Sequence, residues 1–267
     1  MRFFAPSRAQ LDACVFAQPP LSAWPAEREW LQAAQFPAVE TLNQGWDADW
    51  RFVEQTPQLL ADGLHYETRI HREQRIATRA DNWHDFFNAL IWRRHTALKA
   101  ALNRRQVAEI ALMGDKARSR AQCALTHFDE GGIIVVLRDP ALLQLWDRHD
   151  WHAFFWQSRE AWLSGAIRAE VFGHALLEMA LVRDKLITGK AVAVLDEHGS
   201  AGNHDAVVAA AIDSGALLTD PQELRALPIS GIPGWHAANH EEAFYHEAEC
   251  FRPLRAGRVY PQALRVD

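Results

Sequence analysis

Long apolar runs are what this sequence most plainly lacks. The longest, such as VVAAAI and IIVVL, fall far short of the ~20 residues that a membrane span needs, so no membrane partner is expected. The start, MRFFAPSRAQ, has no sustained apolar region of the kind that marks a secretory signal. Cysteine is scarce: Cys14, Cys123 and Cys250 lie far apart and form no C-x-x-C pair. An odd, scattered set excludes a disulfide framework and a zinc ribbon, and a reduced cytoplasm is the compartment expected. Strong charge is missing too. The formal net charge of −6 offers phosphate backbones no general attraction, so no nucleic acid is expected as a partner. Fixed-period repeats and low-complexity segments are absent. So are G-x-S-x-G, P-loop, G-x-G-x-x-G and H-E-x-x-H motifs, which leaves nucleophilic serine or cysteine catalysis without support.

What is present is an ordinary globular balance, 49% apolar and 23% charged. Eleven Trp and thirteen Phe supply a large core, since each aromatic buries about 150–250 Å². The chain of 267 residues shows no convincing linker. One globular domain is expected, with residues 1–60 as an N-terminal helical and loop segment packed on the core.

The pattern predicts an α+β fold, mostly helical, with a small antiparallel sheet. AEREWLQAAQF reads as a helix that Pro25 can start. HYETRIHREQRIATR alternates loosely, as a short strand pair would. CALTHFD, EGG and IIVVL read together as a β-hairpin. LLQLWDRHDWHAFFWQSREAWL and IRAEVFGHALLEMALV read as helices, KAVAVLD as a strand, and DAVVAAAIDSG as a helix between Asp205 and Gly215.

RADNWHDFFNALIW, residues 79–92, carries the most chemistry. On a helix, Asp81, His84, Asp85, Asn88 and Trp92 fall within about 60° of a common line. Trp83, Phe86, Phe87, Leu90 and Ile91 take the other side. Two readings stand side by side. In the structural one, Asn82 caps the helix with Asp85 at the third helical position, or Asp81 is the cap, and the acids suit the dipole. In the functional one, His84 exchanges protons or binds a metal, with Asp81 and Asn88 as its direct neighbours.

AEVFGHALLEMAL places Glu170, His174 and Glu178 at four-residue steps on an expected apolar helix. Two carboxylates around an imidazole suit a divalent metal or an acid/base pair. They equally suit an internal polar network neutralised by Arg168 or Arg183. If the two helices meet, His84, Asn88, His174 and Glu178 converge. Weaker signals are Asp129 and Glu130 at the expected hairpin turn, the basic stretch GDKARSR, the loop EHGSAGNH, and His236, His240 and His246 near the C-terminus.

TRADNWHDFFNALIW, LKAALN, LTHFDEGG, EVFGHALLE and SGIPGW, in that order over about residues 60–255, resemble a bacterial family classed as domain of unknown function 3025. The resemblance implies no established activity, cofactor or catalytic residue. It does single out Asn82, Trp83, His84, Asp85, Asn88, Asp129, Glu130, Gly173, His174, Glu178, Pro233, Gly234 and Trp235. Members of that family often carry a proline after the last Trp of the first motif. This chain reads Arg93-Arg94-His95-Thr96 there, which leaves the end of the helix open.

The expected function is a His/carboxylate pocket that performs acid/base or metal-assisted hydrolysis of a small molecule. His84, Asp85, Asn88, His174 and Glu178 are its candidate catalytic residues, and a divalent metal is the candidate cofactor. The rival expectation is a binding or scaffold protein in which the same side chains cap helices and join a buried network.

Overall fold

The computed structural model describes residues 3–114, 117–199 and 204–266. A short helix α1 (Arg28–Gln32) precedes strand β1 (Arg51–Glu54), helices α2 (Pro57–Leu60) and α3 (Tyr66–Glu73), and strand β2 (Arg75–Thr78). Helices α4 (Trp83–Arg94), α5 (Thr96–Met113) and α6 (Arg120–Gly131) then lead into β3 (Gly132–Leu137). After α7 (Pro140–Asp147), a π-helical turn at His152–Gln157 and α8 (Arg159–Leu163) come β4 (Ile167–Val171) and α9 (His174–Met179). The chain closes with β5 (Thr188–Leu195), α10 (His204–Asp213), β6 (Arg225–Pro228), α11 (Phe244–Glu247) and β7 (Leu264–Arg265).

The α+β class stands, and helix predominates, but the larger sheet is mixed and the smaller one parallel rather than antiparallel. β1 and β2 pair in parallel across the α2–α3 crossover. In the larger sheet, ordered β4-β3-β5-β6, β3 runs antiparallel to β4 and parallel to β5. β6 and β7 share the other edge of β5, the first antiparallel and the second parallel. A parallel pair needs a long crossover, and the fifty residues between β3 and β5 provide it. Every residue of β3 is buried, as an apolar strand covered on both faces should be.

Three local expectations are corrected. Residues 66–73 are helical, not stranded: His65 caps the helix and Gln74 ends it in the left-handed region at φ 56°. Residues 120–131 form α6 rather than one arm of a hairpin, because Ser119 and Gln122 make a reciprocal capping box at its start. IRAEV is a strand, not the opening of a helix, with Ile167 and Val171 as its buried ends.

The α4 expectation holds in type and start, and its end is now fixed. Helical geometry breaks at His95 (φ −116°, ψ 43°) without a proline and resumes at Thr96. One face of α4 buries Phe86, Phe87, Leu90 and Ile91. The N-terminal segment covers it: Phe36 meets Trp83 edge-on at 4.7 Å, and the Arg8 guanidinium lies 3.9 Å from the Phe36 ring centre. Among the described residues, no helix is long and apolar enough to cross a membrane.

Candidate active site

The site begins with a cap. The Asn82 side-chain oxygen accepts from the Asp85 backbone N–H at 3.0 Å, which fixes the first turn of α4. Asp85 in turn grips Arg79, whose Nη2 and Nε donate to its two oxygens at 2.7 and 3.1 Å. With the cap held by Asn82 and the acid held by Arg79, His84 is turned toward α9.

Two glycines bring the third helix in. The α6 helix turns into β3 so tightly that a Cβ on Gly132 would lie 2.2 Å from the Phe128 carbonyl oxygen. A Cβ on Gly173 would lie 2.4 Å from the Gly132 nitrogen and 2.5 Å from the Glu130 carbonyl oxygen. Real contacts are never that close, so only glycine permits the approach. The Gly132 carbonyl accepts from Phe172 and Gly173 at 3.0 and 2.8 Å. This clamp sets the last turn of α6, with Asp129 and Glu130, beside His174 at the start of α9.

The result is a compact cluster. His84 Nε2 and His174 Nε2 face each other at 3.1 Å. Glu130 lies alongside, its carboxylate oxygens 3.9 Å from His84 Nε2 and 3.5 Å from His174 Nε2. The other nitrogen of His84, Nδ1, meets Glu178 at 3.2 Å. A carboxylate there calls for a proton on Nδ1, which leaves the Nε2 lone pair of a neutral ring facing His174. His174 is buried, and its Nδ1 has no hydrogen-bond partner.

The electrostatics follow from burial and neighbours. The Glu178 hydrogen bond raises the His84 pKa, with Glu130 adding to it, against an opposing effect of burial. Burial drives the His174 pKa down to about 3, which keeps that ring neutral. Burial and the neighbouring Asp129 raise the Glu130 carboxyl. For Asp129, burial acts upward, but Lys99 leads the opposing charges and the group ends below its usual value. Groups pushed in opposite directions within one cluster are common where protons or metals are handled.

A polar chain supports the cluster from behind. Lys99 Nζ reaches Asp129 at 2.5 Å and donates to the Asn88 side-chain oxygen at 2.8 Å. The Asn88 amide donates to the Tyr66 hydroxyl at 3.0 Å. Next to it, burial and Asp129 raise the Glu67 carboxyl to about 7. Tyr66, Glu67, His84, Asn88, Asp129, Glu130 and His174 border a cavity of about 360 Å³, lined also by Gln55, Arg79, Gln106, Arg118, Gln122 and Thr126. That size lies within the range of small-molecule sites.

The convergence expected of His84, His174 and Glu178 is present in the structure. Asn88 borders the same cavity but bonds Tyr66 and Lys99, and Asp85 serves Arg79 and the cap. The predicted neighbours of His84 are corrected: Glu178, His174 and Glu130 take the places expected of Asp81 and Asn88. Glu170 does not continue a helical line to His174, because it lies on β4, facing Ile134 across the ladder. Trp92 is buried rather than part of a polar stripe. Arg183 approaches Asp12 at 3.9 Å and serves neither carboxylate of that line.

Of the weaker signals, Asp129 and Glu130 move from a supposed turn into the site. His236 stacks on Phe244, while His246 joins His152 and Glu242 in a separate group. Within the loop EHGSAGNH, residues 200–203 lie outside the described residues, and so do residues 115–116 of the basic stretch GDKARSR. His204 pairs with Asp196 at 3.1 Å, and Asp205 with His95 at 2.6 Å. Lys99, Tyr66 and Glu67 were missed. Their signal was faint: one lysine in the apolar stretch TALKAAL, and polar residues in a segment read as strand.

The polar cluster is built from α3, α4, α6 and α9, all within residues 50–255, and a family model described as "Protein of unknown function (DUF3025)" matches that span. The chain belongs to the DUF3025 family. The match covers well over half of the chain and leaves out the N-terminal segment that covers α4. Every residue of the DUF3025 site described above falls inside it. No curated protein matches the chain, and neither does any solved structure.

Proposed function

We propose that this protein is an enzyme that hydrolyses a small polar molecule with a divalent metal held by His84, Glu130 and His174. The observation that carries the reading is the set of three facing ligand atoms. Two nitrogens bound to one tetrahedral zinc, each at about 2.0–2.1 Å, lie roughly 3.4 Å apart. The two Nε2 atoms are 3.1 Å apart here, Glu130 Oε1 lies 3.9 Å from His84 Nε2, and Glu130 Oε2 lies 3.5 Å from His174 Nε2. One ligand atom from each residue lies within 4.8 Å of the other two, a spread that rotation of the Glu130 carboxylate would close around one ion. Glu178 behind His84 Nδ1 supplies the outer carboxylate that orients a metal-binding imidazole and raises its basicity.

Three protein ligands leave a position for water, the usual arrangement of a catalytic site. A metal held by these residues would supply water that ionises near neutrality, the chemistry needed for hydrolysis of an ester, amide or phosphoryl group. Arg79, Arg118 and the three glutamines along the cavity wall suit a polar substrate. In this reading Asp85 and Asn88 position the helix and the Lys99–Asp129 pair and do not touch the substrate.

The rival, a closed internal network, is favoured for Asp85 and Asn88 by their pairings. Against it stands the opening beside the cluster: His84, Glu130 and His174 line a cavity of about 360 Å³, from which a closed network would be sealed. The test is elemental analysis of purified protein, with thermal melts in the presence and absence of chelator. About one bound divalent ion per chain, lost in His174→Ala, together with a melt that falls on chelation, supports the proposal. A metal-free protein whose melt ignores both chelator and added zinc or manganese overturns it.

A further inference from the structure

A second cavity, of about 570 Å³, uses the same helix α6 as a wall. His127 faces it, whereas Thr126, Asp129 and Glu130 border the first cavity. Its lining gathers Lys190 from β5 with Arg252, Arg255 and Arg258 from the C-terminal segment, against one carboxylate, Glu249. Several arginines elsewhere are matched to acids: Arg69 to Asp62, Arg79 to Asp85, Arg104 to Asp213 and Arg225 to Asp147. Among the described residues, none of the four cations of this cavity is within ion-pair distance of a carboxylate.

Arg258 is nonetheless anchored specifically. Arg258 donates to the Leu224 carbonyl at 3.0 Å and lies 4.8 Å from the Tyr260 ring centre. The Tyr260 hydroxyl meets His149 Nε2 at 2.9 Å, and His149 Nδ1 meets the Arg252 carbonyl at 3.1 Å. Burial lowers the Lys190 pKa, and Arg258 and Arg255 lower it further, as uncompensated positive charge would. Trp151, Leu186, Leu224 and Leu254 add apolar wall beside these groups. A chain of net charge −6 thus gathers four cations without carboxylate partners in one concavity.

We propose that this cavity binds a small molecule bearing a phosphate or diphosphate group, held by Lys190, Arg252, Arg255 and Arg258. Guanidinium forks match phosphate oxygens two at a time, and an ammonium adds a point charge. A polynucleotide does not fit, because the overall negative charge repels a long phosphodiester chain outside the cavity.

The experiment is calorimetric titration of the full chain with inorganic pyrophosphate. EDTA is present throughout, so that no metal in the first cavity can report. Saturable binding at one site per chain is expected, weakened at least about tenfold in Lys190→Ala/Arg255→Ala. Among the described residues neither side chain makes a hydrogen bond or an ion pair, so the variant should melt like the parent. His84→Ala should bind pyrophosphate as the parent does, which separates this proposal from the metal reading. Absence of binding to the parent, or equal affinity in the double variant, overturns it. So does cosedimentation with anionic phospholipid vesicles that needs the same two side chains and that pyrophosphate does not displace.

Discussion

Replacing Glu178 separates a metal-orienting carboxylate from a member of an inert network. The carboxylate sits 3.2 Å from His84 Nδ1, and its side chain is 18% exposed, so solvent screens the bond only in part. Loss of such an outer partner typically costs ten- to a hundredfold in metal affinity, or about 1.4–2.7 kcal/mol. Glu178→Gln keeps an oxygen that can accept from Nδ1–H and removes only the charge, so the low end, about tenfold, is expected. Glu178→Ala removes the acceptor and frees the ring to rotate, so about a hundredfold is expected. Competition against a fluorescent zinc chelator at fixed pH gives the affinities, and urea unfolding of the metal-free proteins gives the stability baseline. The graded loss, Ala beyond Gln, with little change in the metal-free baseline, is the predicted result. If both variants bind zinc within about twofold of the parent, Glu178 does not orient a ligand. If instead the metal-free proteins lose more than about 2 kcal/mol while zinc affinity holds, the carboxylate belongs to a structural network.

Three further outcomes follow from the same geometry. Asn82→Ala removes the cap of α4 and should cost about 1 kcal/mol in urea unfolding and, because that cap turns His84 toward α9, weaken metal affinity by up to about tenfold; unchanged affinity would show that the cap does not set the position of His84. Gly173→Ala forces a Cβ to within 2.4 Å of the Gly132 nitrogen, and because backbone cannot yield cheaply it should destabilise by roughly 2–4 kcal/mol; a neutral result would show that the α6–α9 clamp is loose. Glu67 has its carboxyl raised from 4.5 to about 7. Between those values the folded state holds a proton that the unfolded chain has released, so stability falls as pH rises through that window and the loss is complete above it. The upper bound is about 3 kcal/mol. Glu67→Gln, whose amide oxygen can still accept from Asn103, should flatten the stability profile between pH 5 and pH 7.5, and an unchanged slope would refute the assignment.

What the sequence disclosed and what it hid divide along physical lines. The α4 pattern was legible because one turn-by-turn periodicity, a cap and an aromatic face all agree within twelve residues. The β-branched runs of β3 and β5 were legible as strands, but not their mutual direction, which depends on what lies between them. IRAEV misled because its five residues alternate apolar and charged while FGHALLEM continues with helical spacing. The apparent four-residue line from Glu170 to Glu178 therefore crosses a strand and a helix. LTHFDEGG misled for a related reason. Two glycines after acids look like a hairpin turn, and a glycine required for close approach cannot be told from a glycine required for a turn without the partner backbone in view.

That partner backbone links the reading of the site to the reading of the fold. His84, Glu130 and His174 stand on three different helices, and nothing local requires their side chains to meet. What requires it is the Gly132–Gly173 contact, where two main chains approach more closely than any side chain allows. On the metal reading, the separations among the three side chains follow from that contact and from the Asn82 cap. An inert core would gain little from such a device, since apolar packing tolerates shifts of a few tenths of an ångström, whereas a metal site tolerates about 0.2 Å in each bond. Close glycine packing behind a His–Glu–His cluster is the construction expected where ligand positions, more than burial, are what the fold has to hold.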